Sequence, residues 1–291
     1  MAKGYRKGIP NSTMKRATTK LGRVFVDLSG RKRTASLTGA RYAMICKDDY
    51  TRYSWLYFLK HKSDAASALK RFLTDVRAVG LPSELEIVRS DNGGEFFGGR
   101  FKQLCEDMMI KQEFTSAHSP EFNGVAERGL GIITAAALAA RIQATQLFHH
   151  IRLPPTEPLW AEAMHWACDA LNHTASTANR DNVCPLEMWH GKAEPVAPYP
   201  FLKPGYCRWK RPNKSLPKAE ACFYLGPPIN HPKDCIRVLT RGNMVIETRD
   251  VTWAALPPQT TREVAIPENE ATHCRLLSKC KIIRRLRAGQ S

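Results

Sequence analysis

Three acidic side chains stand where a folded chain would hold them rigidly: Asp27 inside RVFVDLSG, Asp91 directly after LEIVRS, and Glu127 in NGVAERG. Each falls on a different expected element, namely a first strand, the end of a later strand and the first turn of a helix. If the two strands are neighbours and the helix packs on them, the carboxylates converge, and such a cluster repels itself unless cations bind. Two divalent ions about 3.5–4 Å apart suit it, because such a pair activates an attacking oxygen and stabilises a leaving one in phosphoryl transfer. Hard oxygen ligands favour magnesium or manganese. Asp48 and Asp49, ending the second expected strand, rival Asp27 as the first carboxylate. Glu95 and Asn123 read either as groups that shape the site from outside it or as plain turn and cap residues.

Hydrophobic patterning supplies the elements that must position these residues. RVFVDLSG, RYAMICKD and SWLYFLK are β-branched and aromatic runs that predict three successive strands. Ser63 is the expected N-cap of a helix carrying Leu69, Phe72, Leu73, Val76 and Val79 at helical spacing, stopped by Gly80-Leu81-Pro82. LEIVRS predicts a fourth strand, Arg100 to Met109 a helix, and KQEFTSA a fifth strand. Asn123 then caps an alanine-rich helix through Thr145, and EPLWAEAMHWACDALNHT forms another. After Ala178 prolines accumulate, and CFYLGP, CIRVLT and NMVIETRDVTW have the spacing of a small meander or barrel. The expected organisation is a basic N-terminal arm (1–21), an α/β core (22–177), a linker (178–196), a small β module (197–256) and a flexible basic tail (257–291).

Composition narrows the function classes. With 43% apolar and 24% charged residues the chain is neither disordered nor fibrous. Its longest apolar stretch, Ile132 to Ala140, is interrupted by Thr134 and is too short to span a bilayer, so no membrane partner is expected. The N-terminus lacks the apolar segment of a secretory signal, which predicts an intracellular protein. Nine scattered cysteines without a C-x-x-C pair read as reduced, mostly buried thiols and not as a zinc module. Of the net charge of +17, residues 1–21 hold six basic and no acidic groups, while residues 22–177 hold nineteen against seventeen. Basic flanks around a near-neutral centre point to a polyanion, since each lysine or arginine near a phosphate releases counterions. His118 reads as a loop histidine without chemistry, and Trp55, Phe96 and Phe97 as core aromatics.

With these motifs in view, the sequence resembles the integrases of retroviruses and long-terminal-repeat retrotransposons, most of all the copia type. FVDLSG looks like the segment of their first catalytic aspartate, KDDYTRYSWLYFLKHKS like their second and third strands, VRSDNGGEF like their second aspartate motif and SPEFNGVAERG like their glutamate motif. Thirty-five residues separate Asp91 from Glu127, the spacing characteristic of that family. The likeness runs on through LWAEAMHWACDALN, CPLEMWHGK, KPGYCRWKRPNK, CFYLGP and TRDVTW, and the chain looks like part of a polyprotein.

The resemblance implies a ribonuclease-H-like core with a mixed five-stranded sheet and flanking helices, followed by a small β-barrel-like module. It also implies catalytic and metal-binding roles for Asp27, Asp91 and Glu127 with two Mg2+ or Mn2+ ions. The implied activity is that of a DNA integrase, which trims the element's 3′ ends and joins them to target DNA. DNA and further copies of the chain are the implied partners, and the nucleus the implied location, with CKIIRRLRAG able to serve as an import signal. One departure favours an alternative, a catalytically inactive remnant that only binds nucleic acid. After Glu127 the family commonly continues with basic residues, whereas here the run is ERGLGII. Lysine or arginine at 129 or 131 is expected to restore the grip on a DNA end.

Overall fold

The computed structural model describes residues 16–78, 84–114, 123–191, 199–208, 213, 215, 217–228 and 234–254. His118, residues 1–15 of the expected arm, residues 192–196 of the expected linker and the expected tail lie outside them. Strands β1 (Val24–Leu28), β2 (Tyr42–Asp48) and β3 (Ser54–Leu59) form an antiparallel meander, and β4 (Ile87–Ser90) and β5 (Lys111–Phe114) add in parallel on the other side of β1. The order β3-β2-β1-β4-β5 is the mixed five-stranded, ribonuclease-H-like sheet expected.

Side-chain alternation gives each face of this sheet its own core. Val24, Val26, Met44 and Cys46 pack with Leu69 and Phe72 of α1 (Ala65–Ala78), together with residues of α2 (Gly94–Phe97) and α3 (Gly99–Asp107). Phe25, Ala43 and Ile45 point the other way, into α4 (Gly124–Leu147) and α5 (Trp160–Asn172). A 3-10 turn, Lys62–Asp64, precedes α1, and the Asp64 carboxylate accepts the His61 N–H at 2.9 Å, so Asp64 and not Ser63 secures that entry. Helix α4 is apolar on both faces. Leu130, Ile133, Ala137 and Ala140 are buried in the layer, while Ile132, Leu138 and Ile142 are 43–49% exposed. It is long and apolar enough to cross a bilayer by length and composition, yet its inner face forms the core of this layer.

The expected linker is partly built into the core. Helix α6 (Pro185–His190) carries Trp189, which is buried with its ring 4.7 Å from that of Trp55 and 5.7 Å from Tyr53. Strands β6 (Pro204–Arg208), β7 (Ala219–Gly226), β8 (Ile236–Thr240), β9 (Val245–Thr248) and β10 (Val251–Trp253) follow, in the antiparallel order β10-β6-β7-β8-β9. Among the described residues no ladder joins β9 to β10, so this sheet is open. All seven described cysteines are free, five of them buried, as the reduced-thiol reading requires.

The second sheet rests on α5. Phe201, Leu202, Phe223, Leu225 and Leu239 belong to the same apolar cluster as α4 and α5. Trp166 Nε1 donates to the Tyr199 carbonyl at 2.9 Å, and buried Arg237 of β8 pairs with buried Glu162 of α5. The Arg237 guanidinium also lies 3.4 Å from His165 Nδ1 and 4.0 Å from Glu247. Burial and the Arg237 charge push the His165 pKa down to about 3. The folded state thus holds this histidine neutral, while the unfolded chain takes up a proton below about pH 6.5, so stability is lost as pH falls from there towards 3. His165→Asn, which keeps an acceptor for Arg237, is expected to flatten the wild-type decline of up to about 1.4 kcal/mol per pH unit. Urea melts of both proteins between pH 7 and 4 check this, and parallel pH dependences would refute it.

Candidate active site

The parallel register of β1 with β4 aligns Val24 with Val88 and Phe25 with Arg89, so carrying it forward two residues sets Asp27 level with Asp91. Asp27 shares the face of Phe25 and therefore points towards the layer of α4, whose first turn holds Glu127. The electrostatics record the meeting. Burial raises the Asp27 pKa to about 6, the Leu28 N–H bonded to Oδ1 at 2.8 Å opposes the rise, and the charges of Asp91, Glu127 and Glu95 add to it. The structure thus places Asp91, Glu127 and Glu95 within electrostatic range of Asp27.

Small residues permit these approaches. Asp91 Oδ1 accepts the Gly93 N–H at 3.1 Å, and a Cβ on Gly93 would lie 3.0 Å both from that oxygen and from Glu95 Cδ. Glu95 in turn is ion-paired with Lys62 at 3.1 Å. On α4, Gly129 is buried, and a Cβ there would stand 3.1 Å from Ile45 Cδ1 and 3.3 Å from Lys47 Cδ. Because Ile45 is the register partner of Asp27, this close approach draws the helix start towards β1. Gly129 therefore faces β2 and not a DNA end, which corrects the expectation that a cation at 129 would strengthen a grip; Gly131 has open space around it.

Asn123 has a role that its residue type did not reveal. It precedes α4 but makes no side-chain capping bond. Its Nδ2 instead donates to the carbonyl of Val26 at 3.2 Å, tying the helix start to the strand one residue before Asp27. Its Oδ1 is buried without a hydrogen-bond partner. Sequence offered no signal for this beyond a polar residue beside the glutamate motif.

The rival carboxylates are structural. Asp48 is fully buried and accepts from the Leu21 N–H, the Thr51 N–H and the Thr51 hydroxyl, at 2.9, 2.7 and 2.7 Å. Asp49 pairs with Arg23 at 3.2 Å and Arg52 at 3.0 Å. Both lie at the β1 end opposite Asp27, since Val24 pairs with Asp48. Phe96 is buried and Trp55 packs on Phe72 and Trp189, as expected, but Phe97 is 61% exposed and touches only the edge of the core through Phe114.

Among the described residues, no three His, Cys, Asp or Glu side chains stand close enough to form a finished metal cage. The donor chemistry nevertheless fits divalent cations: hard carboxylate oxygens, mutual repulsion felt by a half-buried Asp27, and an orphaned amide oxygen on Asn123 beside the same strand. Asp27, Asp91 and Glu127 are the residues that could hold them.

Known proteins resemble the chain over much of its length. Residues 24–120 match the family model "Integrase core domain". The chain is 29% identical over 214 residues to the retrovirus-related Pol polyprotein from transposon TNT 1-94 of Nicotiana tabacum, covering 70% of this chain and 15% of that protein. It is 30% identical over 203 residues to the corresponding polyprotein from transposon RE2 of Arabidopsis thaliana, covering 66% and 12%. The chain therefore spans less than a sixth of the length of these relatives. Among solved structures it is similar to a simian T-cell lymphotropic virus intasome chain, at 14% identity and a TM-score of 0.46, covering 87% of this chain and 85% of that one. It is also similar to the HTLV-2 integrase catalytic core domain in complex with magnesium, at 18% identity and a TM-score of 0.43, covering 60% and 100%.

Two outcomes are expected from this site. A raised carboxylate pKa stabilises the fold below the ordinary value near 3.8, and that stability is lost as pH rises through about 6. At pH 7.5 without metal, Asp27→Asn should therefore be more stable than wild type by about 1–2 kcal/mol. Added Mn2+ should raise the melting temperature of wild type and leave Asp27→Asn unmoved; equal shifts in both proteins would refute the site. On α4, Gly129→Lys should cost about 1–3 kcal/mol by overpacking Ile45, whereas Gly131→Lys should be neutral or gain up to about 1 kcal/mol. Chemical denaturation of the pair decides it.

Proposed function

From a chain that carries an integrase core domain and is homologous over about two thirds of its length to Pol polyproteins of plant copia-type retrotransposons, we propose that it is the DNA-joining part of such a polyprotein. The observation that carries this reading is the parallel register of β1 with β4, which sets Asp27 level with Asp91 on the side of the sheet covered by α4, with Glu127 in that helix's first turn. A carboxylate cluster of that kind suits displacement at phosphorus. A water first cleaves near the element's 3′ end, forming one P–O bond as another breaks, and the freed 3′ hydroxyl then attacks a phosphodiester of target DNA, its new P–O bond replacing the bond to the target strand's 3′ oxygen, which leaves and takes up the proton as a free 3′ hydroxyl. Two Mg2+ or Mn2+ ions, when bound, supply Lewis-acid stabilisation of the attacking and leaving oxygens.

The remaining work belongs to the chain itself. Asp27, Asp91 and Glu127 would hold the ions. The Leu28 and Gly93 N–H groups each hold one oxygen, of Asp27 and Asp91 respectively. Asn123 fixes the distance between helix and strand. The protein works as a homo-oligomer on element ends and target DNA in the nucleus, reached through the basic cluster between Arg275 and Arg287, outside the described residues.

One observation favours a second reading, a remnant that binds nucleic acid without joining it: the described carboxylates do not form a finished cage. Strand transfer and disintegration on short branched DNA with Mn2+ separate the two readings. Wild type should give product, and Glu127→Gln, which keeps the shape and removes one charge, should abolish it. Absence of product from wild type, with DNA binding retained, would favour the remnant.

A further inference from the structure

The exposed face of α4 beyond Arg128 presents Gly131, Ile132, Ala135, Leu138 and Ile142, and so offers no cation to a phosphate. Cations gather instead on the connection between β1 and β2. Residues 29–41 hold Arg31, Lys32, Arg33 and Arg41 without one acid. This connection continues the β1–β2 ladder past Asp27, with the Ser29 N–H on the Ala43 carbonyl and the Lys32 N–H on the Arg41 carbonyl, each at 2.8 Å. Its tip is tied to α5 by Trp160 Nε1, which donates to the Thr34 carbonyl at 3.0 Å.

The arginines that pair with acids lie elsewhere. Arg23 and Arg52 pair with Asp49 beyond the Val24 end of β1, and Arg23 and Arg89 pair with Glu113 of β5. Arg31 and Arg33 are exposed and have no ion pair among the described residues. Arg41 spends its guanidinium on the Arg33 and Lys32 carbonyls, at 2.5 and 3.4 Å, which stiffens the connection and leaves its charge uncompensated. The Lys32 ammonium lies 5.8 Å from the centroid of Trp160. Arg141 of α4 joins the group: its Nε is buried without a partner, and its charge acts on Lys32, with Glu157 the acid within its own electrostatic range. Crowded like charges on a rigid frame, with few acids to answer them, are the complement of a polyanion.

Position selects which polyanion. Arg31 follows Asp27 by four residues of extended chain, about 13 Å at most. Arg141 stands fourteen residues along α4 from Glu127, about 21 Å. These spans correspond to roughly four to six base-pair steps of a duplex at 3.4 Å per step.

We propose that the β1–β2 connection, through Arg31 and Arg33 and supported by Lys32, Arg41 and Arg141, is a phosphate-backbone contact that holds duplex DNA leading away from the carboxylate site. This rests on the DNA-joining reading above and adds to it the surface that takes the duplex. The contact is with phosphates and reads no bases.

The test is equilibrium binding of a labelled 20-base-pair duplex to the full chain across a salt series, in EDTA. The double variant Arg31→Gln/Arg33→Gln should weaken binding roughly tenfold at low salt and reduce the slope of log K against log salt by about two, near 0.9 per lost phosphate contact. Lys70→Gln/Arg77→Gln, two exposed cations on α1 across the sheet, removes the same charge and should change neither. Matched melting temperatures exclude unfolding as the cause. Equal losses in the two double variants, or no loss in the first, overturn the proposal while leaving the DNA-joining reading intact. No duplex binding by wild type overturns both.

Discussion

The architecture depends on how closely α4 approaches β1 and β2. At Gly129 a Cβ would stand 3.1 Å from Ile45 Cδ1, so any side chain there must push its neighbours back. Six residues earlier Asn123 bonds the Val26 carbonyl. Two contacts within two helical turns fix both the distance and the rotation of the helix start, and Glu127 lies between them. A helix held there must put its first-turn acid near the end of β1, where Asp27 already meets Asp91 through the parallel register. Loosening either contact would turn Glu127 away before it altered the core, since the aliphatic seam from Leu130 to Ala144 can anchor the rest of the helix by itself.

The two ends of the first sheet solve opposite electrostatic problems. At one end Asp48 and Asp49 are saturated by backbone N–H groups, the Thr51 hydroxyl, Arg23 and Arg52, and Arg89 shares Glu113 with Arg23. Burial still raises the Asp48 pKa from its ordinary value, and the Thr51 and Leu21 donors oppose that rise. At the other end Asp27 is pushed up to about 6, and its field contains more acids and only the Lys62–Glu95 pair in relief. Such a cluster adds nothing to stability at neutral pH, and its repulsion is of the kind that a bound divalent cation would relieve.

Much of this was legible in the sequence, for identifiable reasons. The strands and helices follow from β-branched runs and helical spacing, and the candidate site of Asp27, Asp91 and Glu127 from turn residues beside acids and from motifs that resemble a known family; the order of the strands came only with that resemblance. What escaped was set by neighbours that no local pattern encodes. Asn123 looked like a cap because residue type does not say which carbonyl its amide will find. Gly129 looked like a lost charge, whereas its missing side chain is a packing requirement imposed by Ile45. Ser63 lost the helix entry to Asp64, whose longer side chain reaches the His61 N–H. Proline-rich 178–196 read as a linker, yet Trp189 fills a gap between Tyr53 and Trp55. Phe97 read as core, but its helix ends too soon to carry it inward.

Helix α5 then makes the second sheet part of the same problem. Its Phe58-facing side, through Trp160, covers the first sheet, while Trp166 and Glu162 receive Tyr199 and Arg237 from the second. A buried ion pair adds little net stability compared with apolar residues of the same shape, but removing one partner strands a buried charge. The Glu162–Arg237 pair therefore acts chiefly as a registration device: it penalises every docking of the second sheet that leaves either group unmatched. Because Trp160 of the same helix also holds the β1–β2 connection at Thr34, the position of that connection, of the carboxylates beyond it and of the second sheet are all referred to one rigid element. The relative geometry of the two sheets is in this way fixed by the packing of a single helix.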